Sequence, residues 1–128
     1  MTQEDKELLM KDICARLPYG VCYKHLTWDD ERGEECIAAQ IYSINSDGYV
    51  KNCYDDETVY IDDVRPYLFP LSSMTDEQEK EYNDLNCYEL GCFPHTETAL
   101  DYLIKNQFDF RGLIPKGLAI DATGLNIY

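Results

Sequence analysis

The sequence contains little positive charge. Its 128 residues include 11 Lys and Arg against 25 Asp and Glu, which gives a formal net charge of −14. Proteins that bind nucleic acid neutralise phosphates with Lys and Arg, and an anionic lipid surface repels a chain with such an excess of carboxylates. The composition therefore argues against direct binding to nucleic acid or to a membrane.

Long apolar runs are also missing. A membrane-spanning helix needs roughly 18 or more consecutive apolar residues, and the sequence has no such run. Residues 1–12 lack the apolar core of a secretory signal. We therefore expect a cytoplasmic protein. Because that compartment is reducing, the six cysteines are predicted to be buried free thiols and not disulfides.

Sequence motifs for catalysis or metal binding are absent as well. No glycine-rich phosphate-binding loop occurs. A zinc site needs four ligands, usually in two closely spaced pairs. The sequence offers only parts of such a site, in the spacings of Cys87, Cys92 and His95 and of Cys22 and His25. A Cys–His nucleophile pair would need an electropositive setting, and positive charge is scarce here. We predict no catalytic site, no cofactor and no metal.

The apolar residues predict one α+β domain spanning residues 1–128. Hydrophobic residues make up 45% of the chain, enough for a core that needs no disulfide. The Asp47-Gly48 pair favours a tight hairpin turn. Four segments rich in β-branched and aromatic residues predict strands at 21–28, 36–44, 49–54 and 58–62. We expect these strands to form a four-stranded antiparallel meander or a small SH3-like barrel.

The N-terminal segment predicts a helix at 3–17. Thr2 is placed to cap it, because a hydroxyl can accept a hydrogen bond from the free N–H groups of the first turn. Leu9 and Ile13 recur on one side and predict a buried face. Pro18 ends the helix, since its ring restricts the residue before it.

Two further helices and a wrapping C-terminal tail are predicted after the sheet. Thr75 and Gln78 form a capping-box pattern that begins a helix at about 76–86. The next helix, at about 96–106, is expected to bury four apolar residues: Ala99, Leu100, Leu103 and Ile104. Segment 108–128 is too hydrophobic for a free tail, so we expect it to wrap the domain.

The sequence is rich in carboxylates and in tyrosines. Residues 27–66 carry eleven carboxylates and three basic groups, and residues 75–101 carry eight carboxylates and one basic group. The eleven tyrosines combine an apolar ring with a hydroxyl, which suits both cross-strand packing and protein interfaces. A surface for interaction is predicted at seven residues: Tyr42, Tyr49, Tyr54, Tyr60, Asp55, Asp56 and Glu57.

Four segments carry a resemblance to a known family. They are LPYGV at 17–21, RPYLFPLSSMT at 65–75, FDFRGLI at 108–114 and GLA at 117–119. Together they resemble a family of hypothetical proteins found in prophages and other mobile elements of gut Bacteroidales. The resemblance implies a bacterial cytoplasm and a phage or prophage gene. The family has no assigned activity, so it transfers no functional residues to this chain.

These observations predict a non-enzymatic accessory protein of a phage or mobile element, with a host protein as partner. The acidic, tyrosine-rich surface would bind a basic face of that partner. One alternative is a sponge for a nucleotide-like signal that acts against host defence, with Lys105, Arg111 and Lys116 as the anion-binding cations. A second alternative is a small enzyme of unknown class. The sequence makes no prediction of oligomeric state.

Overall fold

The computed structural model describes residues 1–31, 33–55, 57–86 and 99–128, and only the backbone of Asp29 and Asn86. The predicted α+β class is confirmed. The elements, in chain order, are α1 (Gln3–Arg16), β1 (Cys22–Asp29), β2 (Gly33–Ile44), β3 (Tyr49–Asn52), β4 (Thr58–Tyr60), β5 (Tyr67–Pro70), α2 (Asp76–Asn86), α3 (Ala99–Lys105), β6 (Phe108–Asp109) and β7 (Ile120–Asp121). Within these described ranges, no helix is both long and apolar enough to cross a membrane.

Helix α1 begins at the predicted residue and ends at Arg16, one residue before the predicted end at 17. The Thr2 side chain accepts a hydrogen bond from the Asp5 N–H at 3.1 Å, which satisfies one donor of the first turn. After Arg16 the chain tightens into a 3-10 turn, Leu17–Tyr19, and leaves it through Gly20 at a φ of +74°. Proline at the second position of that turn explains why the α-helix does not continue.

The predicted four-stranded antiparallel meander is confirmed. Strands β1 to β4 lie in the order of the sequence, with β1 and β4 at the two edges. The β1–β2 hairpin extends from the Cys22–Gln40 pair to the Asp29–Gly33 pair, so β2 begins three residues before the predicted start at 36. The turn between β2 and β3 is held by the Asn45 side chain.

A second, smaller sheet completes the fold. Strand β5 lies between β6 and β7 and pairs with both in parallel. The sequence analysis does not predict this parallel sheet, because β6 and β7 contribute only two residues each. Both come from the C-terminal segment, so the prediction that this segment wraps the domain is confirmed.

The main core lies between α1 and the meander, and residues from the C-terminal segment close it. Leu9 and Ile13 of α1 are fully buried there, as predicted. Their cluster includes Val21, Tyr23, Ile41, Val50, Ile61, Leu68, Leu113 and Leu118. A second cluster joins α3 to β6 through Tyr102, Leu103 and Phe108.

Two burial predictions are wrong. Leu100 is 48% exposed, because α3 turns Tyr102, Leu103 and Ile104 toward the core instead. The described thiols are free, but three of them are exposed: Cys14, Cys36 and Cys53. They lie on outward positions of a helix, a strand and a turn, so their small apolar side chains are not used in packing.

Candidate functional site

The predicted interaction surface divides into two concave regions. Tyr42 and Tyr49 line the first, an open region of about 550 Å³ over β2, β3 and β4. Its other lining residues are Ser43, Ile44, Asn45, Lys51 and Thr58. Tyr60 is half-buried, packs on Tyr49 with ring centroids 5.4 Å apart, and accepts a hydrogen bond from Lys6. Tyr60 therefore supports this region and does not extend it.

The second region joins Tyr54, Asp55 and Glu57 to the end of the β1–β2 hairpin. It is an open cleft of about 550 Å³. We call it the acidic cleft, and its lining residues are Thr27, Trp28, Asp30, Glu31, Glu35, Tyr54, Asp55 and Glu57. Five of these eight residues are carboxylates. Asp56, also predicted for this surface, lies outside the described residues.

Two aromatic rings are unusually exposed in the acidic cleft. Trp28, the only tryptophan of the chain, is 75% exposed, and Tyr54 is 66% exposed. Trp28 lies on β1, where Tyr23 and His25 point inward and the side chains of alternate residues point outward. A large apolar surface left in water carries a free-energy cost that binding can recover.

A hydrogen-bonded network around His25, whose side chain is 3% exposed, adjoins the acidic cleft through Asp55. His25 Nε2 lies 2.9 Å from Asp55 Oδ2, and His25 Nδ1 lies 3.1 Å from the hydroxyl of Tyr23. Asn52 Nδ2 donates both to the Tyr23 hydroxyl at 2.9 Å and to Asp55 Oδ1 at 3.1 Å. We call these four residues the His25 network.

The partners of the His25 ring fix its tautomer. Asp55 only accepts when ionised, so the adjacent Nε2 carries the proton and donates it. The unprotonated Nδ1 then accepts from the Tyr23 hydroxyl, which in turn accepts from Asn52. In this tautomer both ring nitrogens of the buried imidazole have a hydrogen-bond partner.

The turn after β3 positions Tyr54, Asp55 and Glu57 through side-chain to backbone hydrogen bonds. The Asn52 side-chain oxygen accepts from the N–H groups of Tyr54 and Asp55, both at 2.8 Å. Asp55 Oδ1 accepts from the N–H of Glu57 at 3.0 Å. These bonds hold Asp55 toward His25 and place Glu57 Oε2 3.8 Å from His25 Nε2.

The same contacts set the ionisation of the network. The hydrogen bond from His25 has the largest effect on the pKa of Asp55 and holds it below the ordinary value of 3.8. Burial has the largest effect on the pKa of the Tyr23 phenol and raises it above the ordinary value of 10.0. Asp55 is therefore a carboxylate and Tyr23 a neutral hydroxyl near neutral pH.

A third concave region opens on the other side of Glu57. It encloses about 330 Å³ beside the edge of β1. Its lining residues are Tyr23, Lys24, His25, Leu26, Glu57, Val59, Asp63 and Arg65. His25 thus faces this cavity, while Asp55 faces the acidic cleft and Glu57 lies between the two.

The predicted anion-binding cations lie in different settings. Arg111 donates to the buried carboxylate of Asp12 at 3.1 Å and covers the Phe110 ring, with its guanidinium carbon 4.5 Å from the ring centroid. Lys105, at the end of α3, and Lys116 are both exposed. The charge of Arg111 is therefore compensated inside the protein. None of the three cations lines the regions described above.

The cysteine and histidine spacings do not form one group in the described part of the chain. Cys22 Sγ lies 3.5 Å from the Gly20 carbonyl oxygen, whereas His25 belongs to the network with Asp55. Cys87, Cys92 and His95 lie outside the described residues. The described residues that could share a metal ion are His25, Asp55 and Glu57, whose ligand atoms all lie within 4.8 Å of one another.

Sequence reasoning missed His25 and Trp28 as parts of the site. Alternation along β1 places Leu26 and Trp28 on the face opposite to Tyr23 and His25, but it does not show which of the two faces is exposed. No sequence signal joined His25 to Asp55, which lies 30 residues later. Comparison with family models, curated proteins and solved structures gives no match to this chain.

Proposed function

We propose that the protein binds a basic segment of another protein in the acidic cleft. The observation that carries this proposal is the combination of Trp28, 75% exposed, and Tyr54, 66% exposed, with five carboxylates in one cleft. The function is non-enzymatic recognition, and its partner supplies Lys or Arg side chains.

The chemistry of the acidic cleft suits such side chains. A Lys or Arg head over Trp or Tyr is attracted to the ring face by about 0.5–2 kcal/mol. The carboxylates of Asp30 and Glu35 add ion pairing around those rings. The apolar stem of a Lys or Arg can cover the exposed Trp28 ring while its charge stays near solvent. Trp, Tyr and Arg are also the residues that most often dominate the energy of protein interfaces.

The net charge of −14 supports a basic partner in a second way. Opposite net charges speed diffusional encounter and make it sensitive to salt. A protein face that normally holds nucleic acid carries the required positive charge. The resemblance to proteins of prophages and mobile elements favours a host protein as the owner of that face.

The experiment is a binding series with immobilised protein, first against a fluorescent Lys/Arg-rich peptide and then against host lysate at rising salt. Trp28→Ala is expected to weaken peptide binding by about 2- to 30-fold, which corresponds to the loss of one cation–ring contact. Asp30→Asn with Glu35→Gln is expected to weaken it further and to reduce its salt dependence. Trp28 fluorescence should change on binding, since the ring lies in the cleft.

The matched control removes the same charge elsewhere. Glu77→Gln with Glu79→Gln alters two exposed carboxylates of α2 and changes the net charge by the same amount as the cleft variant. If both double variants weaken peptide binding equally, attraction is non-specific and the proposal is wrong. Addition of DNA to the lysate identifies the partner face, because DNA competes only when that face binds nucleic acid.

A further inference from the structure

We propose that His25, Asp55 and Glu57 bind a divalent first-row transition-metal ion. This site goes beyond the recognition of a basic partner, although Asp55 and Glu57 also line the acidic cleft. The three residues offer one imidazole nitrogen and two carboxylate oxygens, all within 4.8 Å of one another.

The two distances from His25 Nε2 are close to those between the ligands of a coordinated ion. Ligand atoms at about 2.0–2.2 Å from a shared metal lie about 3.0–3.5 Å from each other. His25 Nε2 is 2.9 Å from Asp55 Oδ2 and 3.8 Å from Glu57 Oε2. The side chain of Glu57 is 70% exposed, so its rotamer can change by the small amount needed without disturbing the core.

The surrounding residues already orient these ligands. Metal-binding histidines almost always use their second ring nitrogen in a hydrogen bond, and ligating carboxylates are themselves hydrogen-bonded. Here the Tyr23 hydroxyl holds Nδ1 of His25, and Asn52 Nδ2 holds the second oxygen of Asp55. A ring held in this way loses little conformational freedom when the ion binds.

The proton balance of binding is defined by the same contacts. The ion takes the place of the proton that Nε2 donates to Asp55. The remaining ring proton then lies on Nδ1 and is donated to the Tyr23 oxygen, so the Tyr23 hydroxyl turns its own proton away from Nδ1, and no net proton leaves the imidazole.

The donor set selects the class of metal. One imidazole and two carboxylates suit Mn²⁺, Fe²⁺, Co²⁺ or Zn²⁺ better than soft ions that prefer sulfur. Two carboxylates balance the double positive charge of the ion. The remaining coordination positions face the third concave region and the acidic cleft, so water or a partner's side chain can complete the coordination.

The test uses Mn²⁺, because exposed thiols such as Cys36 and Cys53 would bind softer ions. Free Mn²⁺ is followed by electron paramagnetic resonance during titration of the whole chain, and Tm is measured with and without the ion. We expect one Mn²⁺ per chain and a higher Tm in its presence. His25→Gln and Glu57→Gln are each expected to weaken binding by at least about 10-fold.

The matched control is Asp30→Asn with Glu35→Gln, which removes two other carboxylates of the same cleft. This variant should keep wild-type Mn²⁺ affinity while it weakens peptide binding. If the control loses Mn²⁺ as strongly as His25→Gln, the cleft attracts cations only diffusely and the metal site is wrong. Glu57→Gln decides the matter if His25→Gln fails to fold, since Glu57 is largely exposed.

Discussion

Asp12 and Arg16 form a fully buried ion pair one turn apart on α1, with Arg16 Nε 2.8 Å from Asp12 Oδ2. Arg16 also donates to the carbonyl oxygens of Phe108 at 2.6 Å and of Ile104 at 3.4 Å. A second guanidinium, that of Arg111, donates to Asp12 at 3.1 Å. These hydrogen bonds connect the C-terminal segment to α1.

Removal of Arg16 is expected to destabilise the protein strongly. In Arg16→Met the buried Asp12 keeps only Arg111 as an ionic partner, and the Phe108 carbonyl loses its donor. Because Arg111 still pairs with Asp12, the loss comes mainly from the buried Phe108 and Ile104 carbonyls that lose the Arg16 donor, at about 1–3 kcal/mol each. Urea unfolding measures this loss. Lys11→Met, at an exposed position of the same helix, should change stability by less than about 0.5 kcal/mol. Equal effects of the two substitutions would contradict this role of Arg16.

The His25–Asp55 contact predicts a defined acid sensitivity. The hydrogen bond from His25 lowers the pKa of Asp55 below 3.8, so the folded protein holds the charged carboxylate more readily than the unfolded chain. The contribution of this contact to stability is complete above the ordinary pKa of 3.8. It is lost as the pH falls through the lowered pKa of the folded protein. Asp55→Asn should therefore flatten the fall in stability below pH about 4. Urea midpoints at pH 6 and pH 3, with a chelator present, measure the slope, and Glu77→Gln should retain the wild-type slope.

Much of the local structure could be predicted from the sequence. The Thr2 cap, the reciprocal bonds of Thr75 and Gln78, and the turn at Gly48 all depend on residues within five positions of each other. Such features are determined by short-range sterics and hydrogen bonding, so a single sequence contains the required information.

The long-range features could not be predicted in the same way. Asp12 and Arg16 look like surface residues in a helical pattern, and their burial depends on carbonyl groups 88 and 92 residues from Arg16. In the acidic cleft, Tyr54, Asp55 and Glu57 were predicted together because they are adjacent in sequence. Trp28 joins them only through the β1–β2 hairpin, whose two faces both carry apolar residues, so periodicity alone does not show which face is buried.

Tyr128 is expected to contribute through its hydroxyl. That group donates to the Tyr67 carbonyl at 2.7 Å and accepts from the Cys22 N–H at 2.9 Å. Tyr128→Phe leaves both backbone groups without this partner and should cost about 1–2 kcal/mol in urea unfolding. Tyr54→Phe, at an exposed ring, should cost less than about 0.5 kcal/mol.

Alkaline pH gives an independent test of the same hydroxyl. Burial raises the pKa of Tyr128 well above its ordinary 10.0, so the folded protein favours the neutral phenol. That stabilisation is fully present below pH 10 and is lost as the pH rises above it. The difference in unfolding free energy between wild type and Tyr128→Phe should therefore narrow between pH 9 and pH 11. A constant difference across this range would contradict the burial of the hydroxyl.

Gly48 is expected to be irreplaceable for steric as well as conformational reasons. Its φ is +88°, and a Cβ there would lie 3.1 Å from Ile61 Cγ2 and 3.3 Å from Tyr60 Cε2. Gly124 has a similar φ of +77° but no atom within 4 Å of such a Cβ. A substitution there therefore measures the conformational cost without the steric cost. Gly124→Ala should cost about 1–2 kcal/mol, the penalty for a left-handed conformation. Gly48→Ala should cost a further 1–3 kcal/mol or so, because the turn must move away from Ile61. Urea unfolding of both variants measures the difference, and equal losses would show that the turn accommodates the methyl group freely.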